Sequence, residues 1–232
     1  MKKYNHCSSS RKNSSKCLYD SFPPFIGPNP ITSFNPTQRL PLIDKTAFIS
    51  PFSSVIGDVR IKDKVFIAPN VSIRADEGTP FSIGSNTNIQ DGVIFHGLMN
   101  QFVSILDKEY SIYIGDEVSI AHGALIHGPC FIGNNVLVSF KSIVYNAVVE
   151  DGAFISYNAT VTNGVRIPSN RFVPPYSNID SQEKADALLP ASEAQKEFAH
   201  DVQFVNQQFP SGYKKICGKY QCSCGILYDK HR

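Results

Sequence analysis

Charge is what this sequence has little of. Only 18% of its 232 residues are charged, and the formal net charge is +2. No broad basic or acidic field follows, which argues against nucleic acid or an anionic membrane surface as a partner. Long apolar runs are missing too: nothing approaches the roughly 18–20 residues that span a bilayer. Lys2 and Lys3 are not followed by the apolar stretch of an export signal. The expectation is a soluble, non-exported, cytoplasmic protein. Cysteine is scarce where a disulfide-held core would need it. Of Cys7, Cys17, Cys130, Cys217, Cys222 and Cys224, only Cys130 lies away from the termini. Reduced thiols are therefore expected.

The chain divides by composition. Residues 1–22 are polar, rich in Ser, Lys and Arg, and are expected to be a disordered leader. Residues 23–41 carry Pro23, Pro24, Pro28, Pro30, Pro36 and Pro41, which forbids helix and predicts an extended strap along the surface. Phe22, Phe25, Ile26 and Phe34 are its expected apolar anchors.

From residue 42 to 180 a six-residue period takes over. Aliphatic residues recur at Ile43, Ile49, Val55, Ile61, Ile67 and Ile73, with a small or branched residue four positions later at Ala47, Ser53, Val59, Val65 and Val71. The phase breaks after Ile73 and resumes at Ile83, Ile89 and Phe95. It breaks again around residues 97–113 and returns at Ile114, Ile120, Ile126, Ile132, Val138 and Val144. After the loss of one residue it runs on from Val149 through Ile155, Val161 and Ile167 to Val173. Neither a helix nor an alternating strand has this period. It is the hexapeptide repeat, in which each unit is a short strand plus a corner and three units close one triangular turn. The predicted fold is mainly β: a left-handed parallel β-helix of about six to seven turns with a C-terminal α-helix.

Residues 181–213 change to helical signals. Asp180 to Glu183 and Ser192 to Gln195 have capping-box spacing, with Pro190 between two predicted helices. Ala194, Phe198, Val202, Val205 and Phe209 form an apolar stripe that predicts packing along the β-helix or a neighbour. Residues 214–232 form a tail in which Cys217, Cys222 and Cys224 lack a standard zinc spacing. Incidental thiols are the expected reading there, with a local disulfide as the other.

The repeat also gives every polar residue a coordinate. Arg74, His96 and His127 each follow the third aliphatic of a turn, so they should form one column. His96 and His127, one rung apart, are close enough to share an ion at about 2.0–2.1 Å from each imidazole. Asp91 and His122 share a second column, around a corner from the first. One chain should find it hard to bring His122 to the same ion, whereas a neighbouring prism could supply it, which suggests a trimer. A lone histidine is more often a satisfied structural residue. Two stacked by register, with a third in the same turn, favour a metal site.

The strings IRADEGTPF, NTNIQDGVIFHG and AHGALIHGP, within a match running from about Pro36 to Tyr213, resemble the γ-class carbonic anhydrases. The likeness is to the archaeal-type enzyme and to the carbonic anhydrase-like domain of the carboxysomal assembly protein. It implies a homotrimer that hydrates carbon dioxide reversibly to bicarbonate through a metal-bound hydroxide at each interface. His96, His122 and His127 fall on the ligand positions, with zinc, or iron or cobalt, as the metal. The resemblance makes Arg74 and Asp91 an intersubunit ion pair and gives Gln90 and Asn88 the orientation of the bound water. Glu77 becomes a proton-transfer carboxylate, Asp76 supports the same polar motif, and Asn206 is retained on the C-terminal helix.

Two departures stand out. Met99 occupies the position of a proton-shuttle glutamate, leaving Asp107 and Glu109 as the carboxylates of a short loop, and Phe204 replaces a tyrosine. Two rival readings follow: a non-catalytic trimeric assembly or bicarbonate-binding module, and a hexapeptide acyltransferase.

Overall fold

The computed structural model describes residues 24–216. The leader to residue 23 and the tail from 217, with the expectations for Phe22 and for every cysteine except Cys130, lie outside the described residues.

The repeat closes as expected into a left-handed parallel β-helix with three walls. One wall is a seven-stranded parallel sheet from Phe48–Ile49 to Phe172–Val173, so the helix has seven turns on that side. The other two walls merge into one 13-stranded sheet, because the strands Leu125–Ile132 and Ile143–Val149 run unbroken around a corner. Register along the walls matches the sequence count: Ile67 pairs with Ile89, Ile89 with Ile120, and Ile120 with Val138. Ile61, Ile67, Ile73, Ile83, Ile89, Ile114, Ile120, Ile126 and Ile132 are all almost fully buried in one continuous core. Each such side chain contributes about 1.5–3 kcal/mol.

The small positions serve a second purpose. Thr87 Oγ1 donates to the Gly115 carbonyl at 3.0 Å and Ser53 Oγ to the Ala68 carbonyl at 2.8 Å, so their hydroxyls satisfy buried backbone oxygens. At the corners the backbone is left-handed, and Asn70, Asn86, Asn135 and Asn158 take up that conformation. Asparagine adopts it more readily than most side chains.

The two interruptions have distinct forms. The first, between Ala75 and Phe81, carries Asp76 and Glu77 out from the wall. The second is a two-stranded hairpin, Val103–Ile105 with Lys108–Tyr110, turned by Leu106 and Asp107. The later loss of one residue has a visible cause: the pairing of Leu125–Ile132 with Ile143–Val149 shifts between His127 and Cys130, where Gly128 and Pro129 bulge out.

Three expectations need correction. The strap is more than a surface wrap, since Phe25–Gly27 pairs in parallel with Ser54–Gly57 and adds a rung to one wall. Among the described residues its expected apolar anchors do not hold it. Phe25, Ile26 and Phe34 are exposed, while Asn29 is buried, accepting from the Arg39 N–H at 2.8 Å and donating to the Thr37 carbonyl at 3.1 Å. Hydrogen bonding fastens a chain whose prolines withhold their own donors.

The third correction concerns the C-terminal helices α1 (Gln182–Asp186), α2 (Glu193–Asn206) and α3 (Phe209–Ile216). Ser181, not Asp180, caps α1, and Asp180 instead accepts from Lys184 Nζ at 2.6 Å. The Ser192–Gln195 capping box of α2 is formed in both directions. The expected apolar stripe splits. Val202 packs with Ala199 on Leu137, Phe154 and Ala191, Phe198 meets Phe154 at 6.2 Å between centroids while remaining half exposed, and Phe209 begins α3 and packs on Phe66, whereas Val205 stays half exposed. The α2 residues that become buried are polar, Gln203 and Asn206.

Candidate functional site

The column expected from the repeat is present. Arg74 pairs with His96 in register, His96 with His127, and His127 with Tyr145. Gly97 and Gly128, the residues after the two histidines, pack on the Ser111 side chain, and a Cβ at either would collide with its hydroxyl. Glycine there lets the two rungs close over Ser111.

Each ring is held through one nitrogen by a group that only accepts. His127 Nδ1 lies 3.1 Å from the Gly128 carbonyl, His96 Nε2 lies 3.1 Å from Asp76 Oδ1, and His122 Nδ1 lies 3.1 Å from Asp91 Oδ2. In the neutral tautomer that such acceptors select, those nitrogens bear the hydrogen, and the lone pairs fall on His127 Nε2, His96 Nδ1 and His122 Nε2. Histidine ligands to metals are commonly prepared in this way, by an acceptor on the far nitrogen.

The lone-pair nitrogens of His96 and His127 face each other across 3.3 Å. In those tautomers no hydrogen lies between the two nitrogens, which leaves both free to donate to one cation. Two bonds of about 2.0–2.1 Å at a tetrahedral angle would set two ligand nitrogens about 3.3–3.4 Å apart. The pair thus fits a tetrahedral cation such as zinc in both chemistry and separation.

His122 stands in the corner turn that follows the strand Ser119–Ile120 of another wall, with its ring stacked on Phe140 at 5.7 Å between centroids. Among the described residues no group of three or more histidines, cysteines or carboxylates that could hold a metal forms within the chain. Two half-sites result. One holds His96, His127, Asp76 and Glu77. The other holds His122 and Asp91 beside a crevice of about 350 Å³ between the wall and α2, lined by Gln90, Phe140, Phe198, Val202, Val205 and Asn206 among others.

The remaining residues fall into place around these halves. Arg74 Nη1 is 3.6 Å from Asp76, and Asp91 is paired with His122, so an Arg74–Asp91 contact would have to form between chains. Glu77 Oε1 accepts from the Met99 N–H at 3.2 Å, and its other oxygen is 3.9 Å from His96 Nε2. Met99 therefore contributes its backbone where its side chain has no acid to offer. Gln90 is buried and donates to Asn88 Oδ1 at 3.0 Å. Both amide hydrogens of Asn88 are taken by Ser119 Oγ at 2.7 Å and Gln203 Oε1 at 2.8 Å. Asn88 is thereby committed to holding Gln90 rather than to meeting a ligand. Asn206 donates to the Val202 carbonyl at 2.8 Å. Phe204 does not line the His122 crevice: it borders a second groove of about 460 Å³ on the other flank of α2. Cys130 lies under the His127 rung, donating to its carbonyl at 3.0 Å, and burial pushes its thiol up to about 12.

Gln203, Tyr145 and Phe140 were not singled out from sequence. Gln203 joins α2 to the wall through Asn88, Ser119 and the Asn86 carbonyl, a tertiary contact without a local signal. Tyr145 and Phe140 had one, since each stands a full 18-residue turn after a site histidine.

No family model matches the chain. It is 36% identical over 205 residues to a carbonic anhydrase of Methanosarcina thermophila, covering 82% of this chain and 81% of that protein. It is 46% identical over 172 residues to the carboxysome assembly protein CcmM of a Nostoc species, covering 74% of this chain but only 31% of that longer protein. Among solved structures, a hexapeptide transferase family protein from Anaplasma phagocytophilum superposes with a TM-score of 0.62 at 26% identity, over 75% of this chain and 93% of that one. Coverage of about four fifths of both chains at 36% identity, on a seven-turn hexapeptide β-helix, places the chain in the γ-class carbonic anhydrase family.

Proposed function

We propose that the chain is a carbonic anhydrase, catalysing reversible hydration of carbon dioxide to bicarbonate and a proton as a cytoplasmic homotrimer. The observation that carries this reading is the 3.3 Å approach of His96 Nδ1 to His127 Nε2, each ring held from its far nitrogen by an acceptor, together with His122, held likewise by Asp91 and with its other nitrogen given no hydrogen-bond partner among the described residues. His96 and His127 of one chain and His122 of the next would hold a divalent cation, zinc first by donor type, with iron or cobalt as alternatives. When bound, such a cation acidifies a water toward a pKa of about 7, the general value for zinc in carbonic anhydrases, and so supplies a nucleophile at neutral pH.

The chain's own residues do the rest. Phe140, Phe198, Val202 and Val205 give the His122 crevice an apolar lining that suits a small apolar gas. Gln90, fixed by Asn88, presents its amide at the edge of that crevice and orients the oxygen that attacks carbon. Asn206 borders the same crevice from α2. Glu77, partly exposed and close to His96, carries the released proton outward. Asp76 keeps His96 in its tautomer, and Arg74 with Asp91 ties neighbouring chains.

A specific observation favours a second reading, a trimeric assembly or bicarbonate-binding module without turnover: Met99 stands beside Glu77 without an acid, and the chain matches about a third of an assembly protein. Exchange of ¹⁸O between labelled bicarbonate and water separates the two. The enzymatic reading predicts about one divalent cation per chain and exchange well above background. It also predicts that rates rise with buffer concentration, and that His122→Ala removes both metal and exchange, by at least about two orders of magnitude. Metal-replete protein with background exchange would leave only the assembly reading.

A further inference from the structure

Two of the three site histidines share a feature that the hydrogen bonds do not explain. One full turn after His127, at the next rung of the same column, Tyr145 meets the imidazole edge to face, with centroids 5.3 Å apart and an interplanar angle of 82°. One full turn after His122, Phe140 lies nearly parallel to its imidazole, 5.7 Å away at 13°. The Lys141 N–H bonds to the His122 carbonyl at 3.0 Å, which confirms that Phe140 belongs to the adjoining rung. His96 needs no such neighbour, because the next rung beyond it is His127 itself.

A hydrogen bond to one ring nitrogen selects the tautomer but leaves the ring free to rock about Cβ–Cγ. A neighbouring aromatic ring, stacked or set edge to face, limits that rocking, and order fixed in advance is order a ligand does not have to impose. Neither aromatic is a core residue: Phe140 and Tyr145 are 42% and 37% exposed, in contrast to the buried aliphatics beside them. Their contact with the histidines is therefore not incidental to filling the interior. We propose that Tyr145 and Phe140 are positioning residues that fix the rings of His127 and His122 for cation binding. The inference rests on the metal-site reading above. The part played by Tyr145 is that of its ring, not its hydroxyl.

Cobalt(II) titration of the metal-free protein, followed by visible d–d absorption against a competing chelator, tests it. Tyr145→Leu and Phe140→Leu should each weaken binding about three- to tenfold, while Tyr145→Phe stays within about twofold of the unaltered chain. Tyr157→Leu is the control, since Tyr157 is comparably exposed and meets Tyr176 rather than a histidine. It should leave affinity unchanged. Leucine variants that bind cobalt as tightly as Tyr157→Leu would overturn the inference.

If the unaltered chain bound cobalt no better than His127→Ala, the metal reading itself would fail. The ring claim would still be decided by ¹³Cε1-histidine spectra of the metal-free chain. A sharp His127 signal that broadens in Tyr145→Leu but not in Tyr145→Phe supports it, and identical spectra in all three overturn it.

Discussion

At the scale of single residues, the site depends on polar groups that have given up their freedom. Asn88 spends both amide hydrogens inside the chain, and the receiver of one is Gln203, which also binds Ser119 and the Asn86 carbonyl. Replacing Gln203 by leucine would strand those groups in a buried setting. Each unsatisfied group costs about 1–3 kcal/mol, so Gln203→Leu should destabilise by roughly 2–4 kcal/mol in denaturant unfolding. A loss below about 0.5 kcal/mol would mean that water replaces the glutamine. Neither Gln203 nor its role was legible in the sequence, because a glutamine within a helix looks like a solvated position until the wall it meets is known. The histidine columns were legible, because a strict six-residue period assigns each side chain a rung and a face. The paired nitrogens went beyond that: register says that His96 and His127 stack, whereas only the ring partners say which lone pairs meet.

At the scale of elements, the wall strands follow from the period and the helices follow less well. Ser192 and Gln195 announced the start of α2, and both bonds of their capping box are formed. Ser192→Ala should cost about 1 kcal/mol, read as a lower thermal midpoint with unchanged overall secondary structure by circular dichroism. The face that α2 buries was not legible. Its apolar residues are divided: Ala199 and Val202 meet its own wall, Phe198 reaches Phe154 there but stays half exposed, and Val205 is half exposed, which matches a helix serving two neighbours. The strap misled in a similar way, since its aromatics suggested anchors and Asn29 does the fastening. Late turns are tied by Glu150, which bonds Arg166 Nη1 at 2.9 Å and the Ser169 hydroxyl at 3.0 Å. Arg166, foremost, and then Ser169 hold the Glu150 carboxyl below its ordinary 4.5 against the opposing effect of burial. A depressed folded pKa adds stability above the unfolded value that is lost as pH falls through the folded one. Glu150→Gln should therefore be less stable than the unaltered chain at neutral pH, and the gap should close on acidification below 4.5. A gap independent of pH would assign the effect to packing instead.

At the scale of the whole molecule, the same repeat that stacks His96 on His127 sends His122 to a corner turn on another side of the prism, so the fold divides the proposed ligand set within one chain. The half-exposed apolar residues beside His122, Phe140, Phe198 and Val205 among them, give the second half-site a surface suited to a second copy of the chain. The central claim, that each site is shared by two chains, is tested most directly by mixing two inactive variants. His122→Ala retains His96 and His127, and His96→Ala retains His122. Refolded together in equal amounts, they should place an intact pair of half-sites at about one interface in four, recovering about a quarter of the unaltered chain's metal and exchange activity. Each variant alone, and either one mixed with a His96→Ala/His122→Ala double variant, should recover none. Mixed oligomers without metal or activity would contradict the divided site.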